Sequence, residues 1–344
     1  MDISMIVMWV GFILAAYSVV GNDVIQTLGT FLTSNEKRVK WWVLWLFAAS
    51  ILTFTLVQGY LNADISYGRL SKFEEGLVDL EYKWYYLIPP IALLFLTRMG
   101  IPVSTTFMIL TLFSLNKIPN DLGSMVSSVF DADQKLGGMI QKSLMGYAIA
   151  FGTAVLVYML VARITEKRFI EKPLENKYRP VWIFLQWFAT GFLWYQWLTQ
   201  DLANIYVFHR GGNDLSPAMF GITLLILLGL LAFIFYRRGG AVQNVVRNKI
   251  NTLDIRSATI IDFIYGIVLY IFKYNALGLW EAKLPMSTTW VFIGLLAGRE
   301  LAIRFRLDNK LTKSEVKDVV GDLAKVTLGL VVSVVLVFVI KLLG

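Results

Sequence analysis

Long apolar runs alternate with short polar segments along the 344-residue chain. Most of these runs have roughly the 18 to 25 residues that a helix needs to span a bilayer. The predicted spans lie near residues 3–20, 41–60, 84–98, 138–162, 181–198, 217–236, 259–274, 285–303 and 326–343. Shorter apolar pieces follow polar motifs at 24–32, 103–115 and 202–208. This pattern predicts an all-α polytopic membrane protein.

Composition strengthens this interpretation and excludes several classes of protein. Hydrophobic residues make up 57% of the chain and charged residues only 16%, whereas soluble domains carry about 25% charged residues. The chain has no cysteine and one histidine, which excludes disulfides and thiolate chemistry and argues against a zinc centre. The net charge of +8 lies in loops between apolar runs. We therefore expect membrane lipid and no nucleic acid as partner, and an integral protein of the plasma (inner) membrane.

The distribution of basic residues predicts an orientation. One set of loops holds 21 Lys and Arg residues and comprises segments 33–40, 163–180, 237–256 and 299–325. The other set holds 6 and comprises segments 61–83, 117–137 and 209–216. Because cytoplasmic loops carry the excess of Lys and Arg, the first set is predicted to be cytoplasmic and the second external.

This orientation requires two segments that enter the membrane and return to the same face. The segment 84–116 must begin and end outside, while 257–298 must begin and end inside, so each is predicted to be a re-entrant hairpin. The remaining spans then occur in the same order twice with opposite orientation. We predict an inverted-repeat secondary transporter with two re-entrant hairpins and broken helices. Its repeats would be residues 1–162 and 181–344, joined by a cytoplasmic linker at 163–180.

Two pairs of motifs support the duplication. PVSTT at 102–106 is matched by PMSTT at 285–289, and the prolines are 183 residues apart. GND around Asp23 is matched by TQD around Asp201, 178 residues later. Two motifs in the same order with nearly the same offset favour a repeat over coincidence.

The Ser-Thr-Thr triplets predict an anion site. A proline suits the first position of a new half-helix, so the triplet would occupy a first turn with free backbone N–H groups and hydroxyl donors. Two such turns entering from opposite faces suit a tetrahedral oxyanion. The predicted substrate ligands are Ser104, Thr105, Thr106, Ser287, Thr288 and Thr289, with Arg98 reaching the anion or an aspartate. The alternative is that these hydroxyls only cap broken helices or bond back to carbonyls.

Two intramembrane aspartates predict a cation site. A carboxylate inside the membrane is costly and requires a partner or an ion. Each aspartate has an amide side chain one residue before and three residues after it, and oxygen-only ligands favour hard cations. The predicted ligands of a coupling Na⁺, or of H⁺, are Asn22, Asp23, Gln26, Gln200, Asp201 and Asn204. The alternative is that each aspartate caps a broken helix.

Together the four motifs resemble the PiT family of inorganic phosphate transporters, which carries a GANDVANA-like signature and a PVSTTH-like motif in each half. The resemblance implies an inverted-repeat fold, phosphate at the Ser-Thr-Thr turns and Na⁺ or H⁺ at the aspartates, and it is compatible with a homodimer. The sequence departs from the family pattern in several positions. Phe107 and Trp290 replace the histidine that follows each triplet, and Gln26 and Gln200 replace expected asparagines.

The leading prediction is a cation-coupled inorganic phosphate symporter that works by alternating access, without a cofactor and without enzymatic activity. The same fold carrying another oxyanion, such as sulfate, remains open. A membrane enzyme acting on lipid phosphates would need a catalytic base, and the single histidine has no neighbouring acidic cluster. A transport-inactive relative acting as a sensor is a further alternative, although both aspartates and both triplets are retained.

Overall fold

The computed structural model describes residues 2–71, 77, 80–161, 165–212, 214–239, 243, 254–278, 286–308 and 313–343. The described residues form helices joined by turns and loops, and they contain no strand. The α-helices in chain order are α1 Ile3–Asn35, α2 Trp41–Leu61, α3 Ile88–Arg98, α4 Thr105–Leu110, α5 Leu122–Phe130, α6 Lys135–Val161, α7 Glu166–Glu171, α8 Arg179–Asp201, α9 Ala203–Tyr206, α10 Pro217–Tyr236, α11 Ile255–Tyr274, α12 Thr288–Asp308 and α13 Lys313–Leu343. Short 3-10 segments precede α3 at Trp84–Leu87, continue α4 at Thr111–Lys117 and continue α9 at Val207–His209.

Six helices in the described part of the chain are long and apolar enough to cross a membrane. They are α1, α2, α6, α10, α11 and α13. Their apolar windows match the length that a bilayer requires. The protein is therefore an all-helical membrane protein, as the apolar pattern predicts.

Three predicted spans are not among these six helices. The run at 84–98 forms only the 11-residue helix α3, about 16 Å long and thus close to half of the hydrocarbon thickness. The runs at 181–198 and 285–303 belong to the longer helices α8 and α12. Helix α12 packs inside the protein, where Arg299 is buried, whereas the first half of α8 has exposed apolar side chains such as Phe184 and buries Gln186 on another face.

The first aspartate motif does not interrupt its helix. The sequence predicted separate pieces at 3–20 and 24–32, but α1 runs without a break through all 33 residues from Ile3 to Asn35. No proline occurs here, and the side chains of Asn22 and Asp23 bond to other side chains and to a distant carbonyl, so the helical ladder continues. The second motif does coincide with an interruption, since α8 ends at Asp201 and α9 begins at Ala203.

The first Ser-Thr-Thr triplet begins a helix, although not at the proline. Gly100, with φ +73°, ends the turn after α3, and the chain is then non-helical up to Ser104. Ser104 is the N-cap of α4, with its Oγ 3.4 Å from the Phe107 amide that donates to it. The expectation that Pro102 occupies the first helical position is therefore wrong, because Ser104, two residues later, caps the helix with its side chain and the helix begins at Thr105. In the second triplet α12 begins at the equivalent threonine, Thr288, while Pro285 lies outside the described residues.

Described residues of the segments rich in basic residues lie together at one end of the molecule, here called the basic end. Side chains from each of the four segments or from residues next to them make direct contacts. These contacts join Arg238 to Glu36 at 3.4 Å, Arg256 to the Phe169 carbonyl at 2.9 Å, and Arg299 to Glu166 at 3.6 Å. The grouping agrees with the charge count. That this end faces the cytoplasm stays a prediction from the positive-inside rule.

The loops with few basic residues meet at the other end. Arg210 donates to the Leu80 carbonyl at 3.3 Å, and Tyr60 donates to the Leu215 carbonyl at 2.9 Å. The same end holds the start of α3 and the end of the α4 segment. Tyr86 and Phe113 lie there with ring centroids 5.2 Å apart. Residues near the two ends of the segment 84–117 are thus in contact.

Helices α6 and α12 pack against each other with very little space between their backbones. Gly294 and Gly298 lie four residues apart on α12, at the contact with α6. A Cβ atom built on Gly298 would lie 2.3 Å from the Phe151 carbonyl oxygen, and one on Gly294 would lie 2.5 Å from that of Tyr147. Small residues at this spacing are what allows two membrane helices to approach closely.

Candidate functional site

Asp23 lies in the middle of α1 and is fully buried. Thr105 Oγ1 donates to its Oδ2 at 2.8 Å, and Asn22 Nδ2 donates to its Oδ1 at 2.6 Å. Asn22 also donates to the Val103 carbonyl at 2.8 Å and accepts from the Val103 amide at 3.4 Å. The asparagine therefore holds the non-helical segment before α4 against α1, and this contact brings the first triplet to the aspartate.

Asp201, at the end of α8, faces the same triplet from the other side. Thr106 Oγ1 donates to its Oδ1 at 3.0 Å, and Asn204 Nδ2 donates to the same oxygen at 2.9 Å. Asn204 Nδ2 also lies 3.0 Å from Thr105 Oγ1, to which it donates. One continuous chain of hydrogen bonds thus connects the two buried aspartates: Asp23 to Thr105, Thr105 to Asn204, and Asn204 to Asp201.

The two Ser-Thr-Thr triplets meet at this chain of hydrogen bonds. Ser287 Oγ donates to Ser104 Oγ at 2.9 Å. Thr289 Oγ1 donates to the Val103 carbonyl at 2.9 Å, and both Thr288 and Thr289 are buried. Residues 183 positions apart in the chain are therefore adjacent in space. Their hydroxyl groups form a compact set of donors near the middle of the helical bundle.

Several oxygen atoms at this site accept no hydrogen bond from the described residues. They are Gln26 Oε1, Gln200 Oε1, Asp201 Oδ2 and Asn204 Oδ1. All four side chains are at most 2% exposed. Unpartnered buried oxygens are costly, so this set favours a bound cation or water. The site has no group of three or more His, Cys, Asp or Glu among the described residues, and amide and hydroxyl oxygens would complete a cation's shell.

The six predicted cation ligands do not have equal roles in this arrangement. Both oxygens of Asp23 already accept hydrogen bonds, and both polar groups of Asn22 bond to Val103. The oxygens without partners come from the other four residues. Asp23 and Asp201 are close enough for their negative charges to repel, and a cation between them would relieve this repulsion.

Arg98, predicted to reach the anion or an aspartate, lies elsewhere. It is exposed in the last turn of α3 and makes no hydrogen bond or ion pair with another described residue. Arg69, in the loop after α2, takes the position beside the site. Its Nε donates to the Gln200 carbonyl at 3.3 Å, and its charge interacts favourably with Asp201. No sequence pattern indicated this arginine, because it belongs to a polar loop remote from both motifs.

Buried Lys273 lies at the same end of α8. Its Nζ donates to the Thr199 carbonyl at 3.1 Å and lies 5.3 Å from the centre of the Tyr67 ring. The α8 interruption therefore has two basic side chains at its carbonyl groups, where the helix dipole favours positive charge. The two carbonyl groups that accept these hydrogen bonds belong to Gln200 and Thr199, which lie within two residues of Asp201 on α8.

No family model, curated protein or solved structure matches this chain. The fold and the site therefore define its class without a relative: a helical membrane protein with two buried aspartates and two Ser-Thr-Thr triplets in one hydrogen-bonded cluster.

Proposed function

We propose that this protein is a cation-coupled symporter of inorganic phosphate that works by alternating access. The observation that carries the proposal is the meeting of the two triplets, with Ser104 and Ser287 hydroxyls 2.9 Å apart, beside two buried aspartates. Hydroxyl donors and the start of α12 would bind the anion. Carboxylate and amide oxygens would bind the coupling ion, Na⁺ or H⁺.

The short distance between the triplet hydroxyls and the two aspartates explains why an anion and a cation would be transported together. Thr105 and Thr106 each donate to an aspartate. An arriving oxyanion would compete for the same hydroxyls, which would leave each carboxylate in need of another partner. A cation supplies that partner and also neutralises the added negative charge. Anion binding and cation binding would therefore favour each other.

The inverted repeat and the two re-entrant hairpins belong to this proposal. Their support comes from the contacts at the two ends of the molecule. Tyr86 and Phe113 meet at the end with few basic residues, whereas Arg299 Nη2 donates to Ser257 Oγ at 2.5 Å at the basic end. The segments around the two triplets would thus enter from opposite faces. Alternating access would rock one repeat against the other around the central site.

The test is uptake of radiolabelled phosphate by proteoliposomes. An inward Na⁺ gradient, an inward H⁺ gradient and no gradient are compared, each with and without excess sulfate. We expect gradient-driven uptake that sulfate does not inhibit. The double variant Ser104→Ala/Ser287→Ala should lose most of the uptake at low phosphate, while a matched Ser127→Ala variant at an exposed position of α5 should not. Uptake inhibited by sulfate would indicate another oxyanion, and no uptake under any gradient would overturn the proposal.

A further inference from the structure

A third buried carboxylate, Asp262 of α11, lies outside the cluster described above. It is 1% exposed. Thr30 Oγ1 of α1 donates to its Oδ1 through a short hydrogen bond, and Thr190 Oγ1 of α8 donates to its Oδ2 at 2.6 Å. The same two helices carry Asp23 and Asp201. Asp262 thus ties α11 to both of the helices that bear the motif aspartates.

Charged groups on the surrounding helices leave Asp262 without a cationic partner. Arg299 of α12 is engaged with Glu166 of α7 at 3.6 Å. Asp23 of α1 and Asp201 of α8 are themselves acidic, and Tyr158 of α6 is a neutral phenol whose ring lies 5.3 Å from the Arg299 guanidinium. Within the described ranges, only the two threonine hydroxyls contact the Asp262 carboxylate. A carboxylate buried in a membrane with no opposing charge is strongly favoured to bind a cation or a proton.

The geometry favours a proton over a metal ion. The described residues place two threonine hydroxyls and no other hydrogen-bonding side chain on the carboxylate, whereas a metal ion bound by oxygen needs several more oxygen ligands. A threonine hydroxyl is both a donor and an acceptor. It can donate to the ionised carboxylate and, after rotating, accept from the protonated carboxyl. The two threonines therefore satisfy both charge states of Asp262 without any rearrangement of the backbone.

Buried polar side chains lie in a row on α1 between the motif aspartate, the contact with Asp262 and the basic end. On α1, Asp23, Gln26, Thr27 and Thr30 are three or four residues apart, so they share one face, and all are buried. Asp23 and Thr30 are about 10 Å apart along this helix at 1.5 Å per residue. We call this row, together with Ser34 and Asn35 of α1 and Gln186 of α8, the polar ladder.

The ladder continues one turn further, at the C-terminal end of α1. Gln186 of α8 donates to Ser34 Oγ through a short hydrogen bond, and Asn35 Nδ2 donates to Gln186 Oε1 at 2.8 Å. All three side chains are buried, and the next residue, Glu36, pairs with Arg238 at the basic end. Polar residues inside a membrane mark ion pathways and proton relays, and this row leads from the centre of the bundle to one surface.

We propose that Asp262 is a proton-binding site, separate from the aspartate and triplet cluster, which takes up and releases a proton during each transport cycle along the polar ladder. The role in a cycle rests on the proposed function, whereas proton binding at this carboxyl does not. The protein would then respond to pH even where Na⁺ is the ion bound at the motif aspartates.

Infrared spectroscopy of the purified, reconstituted protein tests proton binding without any substrate. A protonated buried carboxyl has a C=O stretching band apart from that of an ionised one, so the band is recorded as the pH is changed. We expect a titrating band in the parent and in Asp23→Asn, and its absence in Asp262→Asn. Asp262→Glu should restore it. Thr190→Val should shift the band to higher frequency, because the carboxyl loses one hydrogen bond. This variant tests the site if the Asp262→Asn protein does not fold.

Uptake by proteoliposomes at a series of pH values tests the role in the cycle. We expect the parent rate to change at least fivefold over the pH range in which the infrared band titrates, and Asp262→Asn to give a flat profile. A band and a pH profile that Asp262→Asn leaves unchanged would overturn the proposal while leaving phosphate transport intact. A titrating band assigned to Asp262 in a protein without phosphate uptake would instead refute the proposed function and retain the proton site.

Discussion

Replacement of Gly298 by alanine should destabilise the protein through the contact between α12 and α6. The added Cβ atom would lie 2.3 Å from the Phe151 carbonyl oxygen and 3.0 Å from the Ala154 Cβ. Ordinary van der Waals contact begins at 3.4 Å, so the helices must separate by roughly 1 Å, and neither obstacle is a flexible side chain.

The expected change in the free energy of unfolding is the sum of two opposing contributions. Inserting a methyl group into a packed interface costs about 1–3 kcal/mol, and a backbone obstacle places this case near the upper value. Alanine in a helix interior is about 1 kcal/mol more favourable than glycine. We therefore expect a net loss of about 2 kcal/mol in the free energy of unfolding, which corresponds to a factor of about 30 in the ratio of folded to unfolded protein.

The measurement is unfolding in mixed micelles, followed by tryptophan fluorescence. Gly152→Ala is the matched control, because Gly152 lies on α6 with no atom within 4 Å of its Cβ position. This control should be neutral or more stable than the parent by up to about 1 kcal/mol. If Gly298→Ala were as stable as Gly152→Ala, the close approach of α6 and α12 would be incorrect. The altered position of α12 should also weaken anion binding, since α12 begins within the second triplet.

Three further predictions concern the site. Asp23→Asn and Asp201→Asn should each abolish gradient-driven uptake in proteoliposomes while leaving the elution profile of the purified protein unchanged; retention of parental uptake by both would exclude them as coupling residues. Ser287→Ala should weaken phosphate binding about two- to tenfold, measured as the half-saturating concentration, because it removes one neutral hydrogen bond of about 0.5–1.5 kcal/mol. Arg69→Gln should raise that concentration about tenfold, by about 1.4 kcal/mol, because positive charge beside Asp201 is lost. The matched Arg98→Gln should have little effect, and equal effects of the two would contradict the positions described for these arginines.

Local sequence patterns predict the membrane helices and a helix that begins close to the first triplet, although they place its first residue at the proline rather than at Thr105. Both depend on neighbouring residues: apolar runs need lipid or protein around them, and Ser104 caps α4 through an amide three residues away. The two aspartates could also be recognised locally, since a carboxylate inside an apolar run requires a partner.

Other features depend on contacts between remote segments and could not be predicted. Nothing near Asp23 indicates that α1 continues through it, because the stabilising partner, Val103, is 81 residues away. Arg69 reaches the site only because the loop after α2 folds against α8. Asp262 lies in the predicted span 259–274, so the same local signal was available but was not used; only its partners, Thr30 and Thr190, depend on two other helices. Arg98 was singled out from its position in an apolar run, which does not reveal the direction of its side chain.

The uninterrupted course of α1 limits where the protein can bend. At 33 residues the helix is about 50 Å long, well beyond the hydrocarbon thickness of about 30 Å, and it carries both Asp23 and the threonine that contacts Asp262. Because α1 is one continuous helix, a displacement at one of these aspartates is transmitted along it to the other. Bending beside the site would be easier in the non-helical segment 99–104, which leads to the first triplet. This segment, rather than α1, would set the pace of any gate.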